Sequence, residues 1–411
     1  MYADISETEA FKVDEILEAV EKPEKYGDRY TLRVLKQGEI PRDQKWINLI
    51  FDAKIVLDKL RDKTIRMGEL FEVSRGNTVW SVWAIKHGKR PDLGAKEFFY
   101  LDEEKVQQYG LKDYAYPALT SARYAKWFTF TKEDWEELKK KGAPCYFFMC
   151  HEPREKLPKN VLDYIRWGEI ECRTIIRGTR GGGKICSQAL ACQAREKKKD
   201  LFYGWYDLGG VEKAPIMAIR QSRYKTRFIM QKFDVVTYDA IVTLIPKSEL
   251  DDLELKALLA FLNSSFAQLY IETTGRTTGA VGPVSLEVKH TEEMPILNVK
   301  APRQEDIELL ASLFDGLEAE ARRLGGADTM ENIEKLWDTV IEKIDVEVAS
   351  ILGLPRELAK TMMKRRLQRA EEAAPEAIKG EEEPRLKPPK KPERQTSTDK
   401  NIPLDKFLSE K

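Results

Sequence analysis

The 411-residue chain lacks the segments and motifs that would mark a membrane, secreted or metal-binding protein. Its longest apolar runs, such as 145–150, are too short to cross a bilayer, and its N-terminus has neither a basic nor an apolar signal region. Its five cysteines include no CxxC pair, and its three histidines are widely scattered. We therefore expect a cytoplasmic protein with reduced, mostly buried thiols and no metal site or membrane partner. A Cys–His catalytic pair assembled by the fold stays open, although no motif points to it.

Net charge is absent as well, because 69 Lys and Arg residues balance 69 Asp and Glu residues. The balance is uneven along the chain. Residues 152–234 contain 18 basic and 10 acidic side chains, a net charge of +8, whereas residues 300–360 contain 8 and 14, a net charge of −6. A basic region interleaved with Trp, Tyr and Phe is typical of proteins that bind a polyanion. An ordinary solvated surface with an uneven distribution of charge is the alternative.

The pattern of apolar residues predicts an α+β fold. Length and composition favour two or three domains with a substantial core. Short runs rich in Phe, Tyr, Ile and Val predict a mixed, mostly β domain with one embedded helix at 251–271. The predicted segments are a small α/β segment at 1–66, the β-rich domain at 67–300, a helical region at 301–371 and a disordered charged tail at 372–411.

Two long helices are predicted within the helical region. The first spans roughly 304–324 and stops at Gly325-Gly326. The second spans roughly 329–352 and stops at Gly353, with Pro355 just beyond. Such a pair is most simply an antiparallel hairpin.

The segment GTRGGGK at 178–184 nearly spells a phosphate-binding P-loop, but Ile185 stands where the Mg²⁺-binding Ser or Thr belongs. A nucleotide-binding enzyme built on this loop is therefore a minor alternative. We interpret the loop as backbone that can approach an anion closely, with Arg177, Arg180 and Lys184 as phosphate contacts. A plain connecting loop explains the same residues nearly as well.

A second basic segment, IRQSRYKTRF at 219–228, contains Arg220, Arg223, Lys225 and Arg227. In a strand, the last three would share one face. Arginine there can bind phosphate, or guanine O6 and N7, with two hydrogen bonds. A solvated strand face is the alternative.

Several short blocks, taken in order, resemble the C-terminal target-recognition half of TaqI-like adenine-N6 DNA methyltransferases of restriction–modification systems. The blocks are IRMGELFEVSRGNT (65–78), YPALTSARYAKWFT (116–129), the segment FYGWYDLGG to VTLIP (202–246), LLAFLNSS to EEMPIL (258–297) and IDVEVASILGL (344–354). Residues 1–60 also resemble the last α/β segment of that family's catalytic domain. Arg75, Arg123 and Arg276 lie within these blocks, and we add them to the predicted DNA contacts; the resemblance itself implies roles for regions and no individual base contact.

The chain departs from the family at its catalytic motifs. The pattern [DNS]-P-P-[YFW] is missing, because the one Pro-Pro pair, 388–389, lies in the charged tail, and the glycine-rich S-adenosylmethionine loop is missing too. The resemblance therefore implies a specificity subunit or fragment with no cofactor of its own. It would recognise duplex DNA for a separate catalytic adenine-N6 methyltransferase chain that binds S-adenosylmethionine. The segment 1–66 and the helical region 301–371 would dock on that chain. The alternative is a scaffold that binds protein through its acidic helices.

Overall fold

The computed structural model describes residues 60–61, 64–77, 95–174, 183–211, 213–222, 224–277 and 284–354. Within these ranges it confirms the predicted α+β class. Nearly all of the predicted segment 1–66, the end of the helical region and the predicted tail at 372–411 lie outside the described residues.

The strands within these ranges are short and form four sheets: β2-β11-β7-β9-β5, β10-β4-β6-β3, β12-β13-β8 and β1-β14. Their bounds are β1 (Ile65–Arg66), β2 (Phe71–Arg75), β3 (Tyr100–Leu101), β4 (Ala115–Leu119), β5 (Thr129–Phe130), β6 (Tyr146–Phe148), β7 (Ile216–Ile219), β8 (Gln221–Ser222), β9 (Phe228–Gln231), β10 (Val236–Thr237), β11 (Ile241–Pro246), β12 (Arg276–Thr277), β13 (Val284–Ser285) and β14 (Pro295–Ile296).

The helices pack on both sides of the five-stranded sheet. Their bounds are α1 (Met67–Leu70), α2 (Lys96–Phe99), α3 (Glu103–Tyr109), α4 (Lys132–Lys140), α5 (Lys159–Ile170), α6 (Leu190–Glu196), α7 (Asp252–Leu262), α8 (Ser265–Thr274), α9 (Val288–Glu292), α10 (Gln304–Arg323), α11 (Met330–Leu336) and α12 (Glu342–Leu352). The two long helices predicted in the helical region are confirmed as α10 and as α11 with α12, which a π-helical turn joins. Helix α12 ends at Gly353 in the left-handed conformation, as predicted. The strand-like pattern did not predict α3 to α6.

The central strands of the five-stranded sheet are buried on both faces, because their side chains alternate between two cores, whereas Glu72 of the edge strand β2 is exposed. Val242 and Leu244 of β11 contribute to the first core, with residues of α7, α8, α10 and α12. Ile241 contributes to the second core, which contains many aromatic side chains from α2, β6 and α5. In β7 all four residues are buried.

The predicted continuous helix at 251–271 is interrupted at Asn263, which is fully buried. The Asn263 amide accepts a hydrogen bond from the Phe228 backbone N–H at 3.2 Å and donates to the Phe228 carbonyl at 2.9 Å. The Asn263 side chain therefore makes the two hydrogen bonds to the Phe228 backbone that a residue of a neighbouring strand would otherwise make. Ser264 then caps the N-terminus of α8, because its hydroxyl accepts from the Ala267 N–H.

Helix α10 is joined to the sheet by a group of charged side chains. Glu318 accepts hydrogen bonds from the backbone N–H groups of Phe128 and Thr129, at 2.8 and 3.0 Å. Arg322, one turn further on, donates to both carboxylate oxygens of Asp134 at 2.6 and 2.8 Å. Charge-assisted, bidentate pairs of this kind are among the stronger hydrogen bonds in proteins. The helical region therefore packs against the β-rich residues of the same chain.

The prediction for the cysteines is confirmed for burial and wrong for oxidation state. All five side chains are buried, but Cys172 and Cys186 form a disulfide with their Cα atoms 5.4 Å apart. Arg173 and Ile185, just inside the disulfide, form an antiparallel bridge. Because the chain returns antiparallel to itself here, two cysteines 14 positions apart become neighbours.

Replacing Asn263 by Ala tests the strand-like role of its amide. The Asn263→Ala variant leaves the buried N–H and C=O of Phe228 without a partner, so we expect the free energy of unfolding to fall by about 2–4 kcal/mol. Denaturant unfolding measures the change. The matched control is Asn298→Ala in the half-buried loop after β14, for which we expect a smaller loss. Equal losses in both variants would contradict the assigned role.

Asp345 of α12 predicts a pH dependence of stability. It is 5% exposed, and its carboxylate accepts a hydrogen bond from the Ser265 N–H at 2.7 Å. Burial raises the pKa of Asp345 from its usual 3.8 to about 6. The folded protein therefore binds this proton more tightly than the unfolded chain does, and the stability from this group is lost as pH rises from about 4 to about 6. In the Asp345→Asn variant we expect this decline, roughly 1–3 kcal/mol, to disappear from unfolding measurements across that range. An unchanged decline would assign it to other groups.

A candidate nucleic-acid interface

One end of the five-stranded sheet gathers arginines that are distant in sequence. Strand β2 ends at Arg75, opposite Val242 of β11. Strand β7 ends at Ile219, opposite Ile241, and the next residue, Arg220, donates its backbone N–H to the carbonyl of Ala240. Because β11 runs antiparallel to both neighbours, Arg75 and Arg220 lie on either side of its first residues. We call Arg75, Arg220, Asp239 and Glu287 the arginine site.

Asp239 holds Arg75 in one orientation. The Arg75 Nε–H donates to the Asp239 backbone carbonyl at 2.7 Å, and Nη2 donates to Oδ2 of the same residue at 2.9 Å. The Asp239 side chain is 1% exposed, whereas that of Arg75 is 27% exposed. The buried carboxylate therefore fixes an arginine that still reaches solvent.

Gly76 allows this close approach. A Cβ at position 76 would lie 2.3 Å from the Tyr238 carbonyl oxygen and 2.6 Å from the Thr237 hydroxyl oxygen. The Gly76 N–H also donates to the Ile241 carbonyl at 3.0 Å. The residue after Arg75 must therefore be glycine for β2 to pass this close to the turn that carries Asp239.

Glu287 holds the second arginine of the site. It accepts a hydrogen bond from Arg220 Nη2 at 2.9 Å and another from the Ser285 hydroxyl at 3.0 Å. Ser285 is paired in register with Arg276 of β12, whose side chain is exposed. Predicted residue Arg276 is therefore one strand away from the arginine site.

Arg123 lies near the same site, on a turn whose neighbouring residues Ala122 and Tyr124 pack against the second core. It is an exposed residue of a short 3₁₀ turn whose Ala122 N–H donates to the Tyr238 hydroxyl at 2.9 Å. Tyr238 directly precedes Asp239. The structure therefore brings Arg75, Arg123 and Arg220 to one region and places Arg276 next to it.

The charges of the arginine site influence one another. Burial, and then the positive charge of Arg220, lower the pKa of Arg75. Burial works in the opposite direction at Glu287, but the hydrogen bond from Arg220 holds the pKa of that carboxyl below its usual value. Burial also lowers the pKa of Lys96, which is close enough to feel the charge of Asp239. Two guanidinium groups are thus held near each other by two carboxylates.

Three buried polar atoms at this place have no hydrogen-bond partner: Arg220 Nε, Asp239 Oδ1 and the Tyr100 hydroxyl. Buried polar atoms are nearly always paired in folded proteins. The negative charge of Asp239 contributes to a raised pKa of Tyr100, after burial, so these groups are near one another. Unused hydrogen-bonding capacity at a cluster of arginines is a feature that functional sites often share.

Two predicted DNA contacts are buried instead of facing solvent. Residues 224–227 form no strand, so the shared strand face expected for Arg223, Lys225 and Arg227 is not observed. Lys225 Nζ donates to the carbonyl of Asn263 at 2.7 Å. Arg227 is 6% exposed, and burial lowers its pKa to about 10. These two cations are therefore interior residues, a placement that charge counting does not reveal.

The structure describes the two ends of the glycine-rich loop, up to Thr174 and from Gly183. Arg177 and Arg180, like Arg223, lie outside the described residues, so their predicted contacts stay predictions. Lys184 is exposed, and its carbonyl accepts from the Thr174 N–H at 2.8 Å. It lies in a bend before the bridge residue Ile185 and a 3₁₀ turn, whereas the lysine of a P-loop begins an α-helix. This geometry disfavours the nucleotide-binding alternative.

The Cys–His alternative is disfavoured as well. Among the described residues, the partner of the His151 imidazole is a carboxylate, Asp207, with Nδ1 2.8 Å from Oδ2. Burial raises the pKa of the Cys145 and Cys150 thiols to about 12. A nucleophilic cysteine needs the opposite shift.

Sequence reasoning missed the two carboxylates of the arginine site. Asp239 and Glu287 lie next to short strands, but they are two among 69 acidic residues, and no spacing distinguishes them.

Among the helices described above, none has the length and apolar composition required to cross a bilayer. In the same described ranges, no three His, Cys, Asp or Glu side chains are grouped to hold a metal ion.

Part of the chain is similar in sequence to known methyltransferases. Residues 93–174 match the family model described as the C-terminal domain of the Type II methyltransferase M.Eco57I. The Type II methyltransferase M.AccI of Acinetobacter calcoaceticus is 26% identical over 188 residues, which are 45% of this chain and 31% of that protein. The type IIG restriction endonuclease BpuSI, a solved structure, aligns with a TM-score of 0.44 and 14% identity over 80% of this chain and 33% of its own.

The chain thus spans about a third of the length of these two proteins, at 31% and 33%. The match confirms the expected relation to a restriction–modification methyltransferase at the level of one domain. The more specific resemblance to the target-recognition half of TaqI-like enzymes stays a prediction.

The Gly76→Ala variant tests the close approach that positions Arg75. The added methyl group meets backbone rather than a mobile side chain, so we expect the free energy of unfolding to fall by about 1–3 kcal/mol. The matched control is Gly316→Ala on the exposed face of α10, where no atom lies within 4 Å of the new Cβ. It should stabilise the protein by about 0.5–1 kcal/mol. Unchanged stability of the Gly76→Ala variant in chemical denaturation would contradict this account.

Proposed function

We propose that this chain is the DNA-recognition part of a restriction–modification methyltransferase. The observation that carries the proposal is the arginine site: Arg75 and Arg220, predicted from separate blocks of sequence, meet at one end of the sheet. Arg123 and Arg276 border them. Clustered arginines on a rigid sheet end are suited to phosphate oxygens and base edges of duplex DNA.

The comparisons support the choice of system. One region of the chain is similar to the C-terminal domain of a Type II methyltransferase, and the chain is much shorter than the relatives it matches. The catalytic Pro-Pro motif and the S-adenosylmethionine loop are missing from its sequence. We therefore propose that a separate catalytic chain binds S-adenosylmethionine and transfers the methyl group to adenine N6, while this chain binds the duplex.

The contribution of this chain is then to bind and orient DNA. Exposed cations such as Arg123, Arg276 and Lys184 would contact phosphates, which carry no sequence information but hold the duplex in register. The arginines held by carboxylates are less mobile and are better suited to base edges.

The scaffold alternative is less well supported. It requires the acidic helices to offer a surface for another protein. The apolar face of α10, with Leu310, Phe314 and Leu317, is buried within this chain, so such a partner would have to bind the exposed acidic face alone.

Salt-dependent binding of duplex DNA by the full chain tests the proposal. About six phosphate contacts would give a slope near −5 in a plot of log affinity against log salt concentration. Removing one contact with Arg123→Ala should reduce the steepness by about 0.9. The control is Arg303→Ala on the acidic helix α10, which should leave the slope unchanged.

Fluorescence anisotropy measures the affinity for labelled duplex DNA between roughly 50 and 200 mM salt. Binding through phosphate contacts changes strongly over this range. If the chain binds no duplex, alone or with its catalytic partner, or if binding is insensitive to salt, the proposed function is wrong.

A further inference from the structure

We infer that Arg75 determines part of the DNA specificity by binding a guanine in the major groove, and that Asp239 is its positioning residue. The inference rests on the proposed function and assigns to one side chain a role that the function leaves open. It depends on three features of the arginine site: which edge of the guanidinium is used, the charge of the Arg75–Asp239 pair, and the rigidity of the backbone around it.

The first feature is the edge of the guanidinium that Asp239 occupies. The Nε–H and one Nη2–H of Arg75 donate to Asp239, at 2.7 and 2.9 Å. The opposite edge, made of Nη1 and the second Nη2–H, has no partner among the described residues. A guanidinium carries five donors and no acceptor, so this free edge can bind two acceptors side by side. Guanine offers such a pair in O6 and N7.

The second feature is charge. Arg75 and Asp239 together are neutral as a pair, so the pair attracts a phosphate less than a free arginine would. The hydrogen-bond donors of the free edge are not weakened in the same way. A neutral base edge with two acceptors is therefore a better match for Arg75 than a phosphate. Adenine presents one acceptor and one donor in the same groove and is a poorer match.

The third feature is rigidity. Arg75 is the last residue of β2, Gly76 passes within contact distance of the turn at Tyr238, and the Asp239 side chain is 1% exposed. An arginine on such a support loses little conformational entropy when it binds, which favours a contact with defined geometry. Arg220, held by Glu287 and 15% exposed, lies beside it as a second but less accessible cation.

The experiment begins with the full chain and a library of duplexes with a randomised core. The wild-type chain should enrich a sequence with at least one invariant guanine. In a duplex of that sequence, 7-deazaguanine at the position read by Arg75 removes the N7 acceptor, and affinity should fall about tenfold. Inosine at the same position keeps O6 and N7, and affinity should stay within about twofold.

The variants then connect the base to the residue. Arg75→Ala removes the free edge altogether, so this variant should bind guanine and 7-deazaguanine equally and lose the preference at that position alone. Asp239→Asn should lose part of the same discrimination, a readout that a purely structural role would not change selectively. The matched control is Arg303→Ala at the N-cap of the acidic helix α10, since Arg303 pairs with Asp306 through the same edge of its guanidinium. Thermal unfolding of each variant confirms that it folds.

The outcomes separate the inference from the proposed function. If the chain binds no duplex, both are wrong. If wild-type binding is sequence-selective but no enriched guanine is sensitive to 7-deazaguanine, the inference is wrong and the proposed function stands. If Arg75→Ala weakens binding equally for all sequences, Arg75 is a phosphate contact, and again the inference alone is overturned. The deazaguanine measurement uses the wild-type chain, so it does not depend on how well any variant folds.

Discussion

Burial of both faces of the central strands in the five-stranded sheet is the constraint on which the rest of the structure depends. The helices of the C-terminal region cover one face, and the aromatic residues of the second core cover the other. All four residues of β7 are buried as a result. A central strand in this position has no solvated face for charged side chains, so the first charged residue next to β7, Arg220, lies where that strand ends. The arginine site is at one of these ends.

The same constraint explains why local charge was a poor guide to the surface. Lys225 and Arg227 count toward the net charge of +8, but they are buried where the chain crosses from the sheet of β8 to the sheet of β9. Arg75 and Arg220 come from different parts of the chain and are accompanied by Asp239 and Glu287. The resulting site is nearly balanced in charge, and its hydrogen-bonding geometry distinguishes it more than its potential does.

Elements with a long apolar period and clear stop signals were predictable. Helix α10 shows a 3.6-residue period and stops before Gly325-Gly326, and α12 stops at Gly353, so the sequence predicted both closely. Short elements were less predictable. The segment 97–101 reads as a strand, yet most of it is α2, because Phe98 and Phe99 are buried among aromatic residues from α5 and β6. Asn263 interrupts a helix-like pattern because its amide bonds to β9, a contact 35 residues away in sequence.

The sequence by itself determined the α+β class, the long C-terminal helices, the likeness to a DNA methyltransferase domain and the set of candidate arginines. These properties depend on composition, on local periodicity and on short motifs. Each of these signals can be read from the sequence without knowledge of distant contacts. The tertiary structure alone decided which of those arginines lie together, which cations are interior, and which carboxylates hold them. The physical reason is that hydrogen bonds such as Arg75–Asp239 join residues 164 positions apart. Such pairings arise from the packing of the whole sheet and leave no local pattern in the chain.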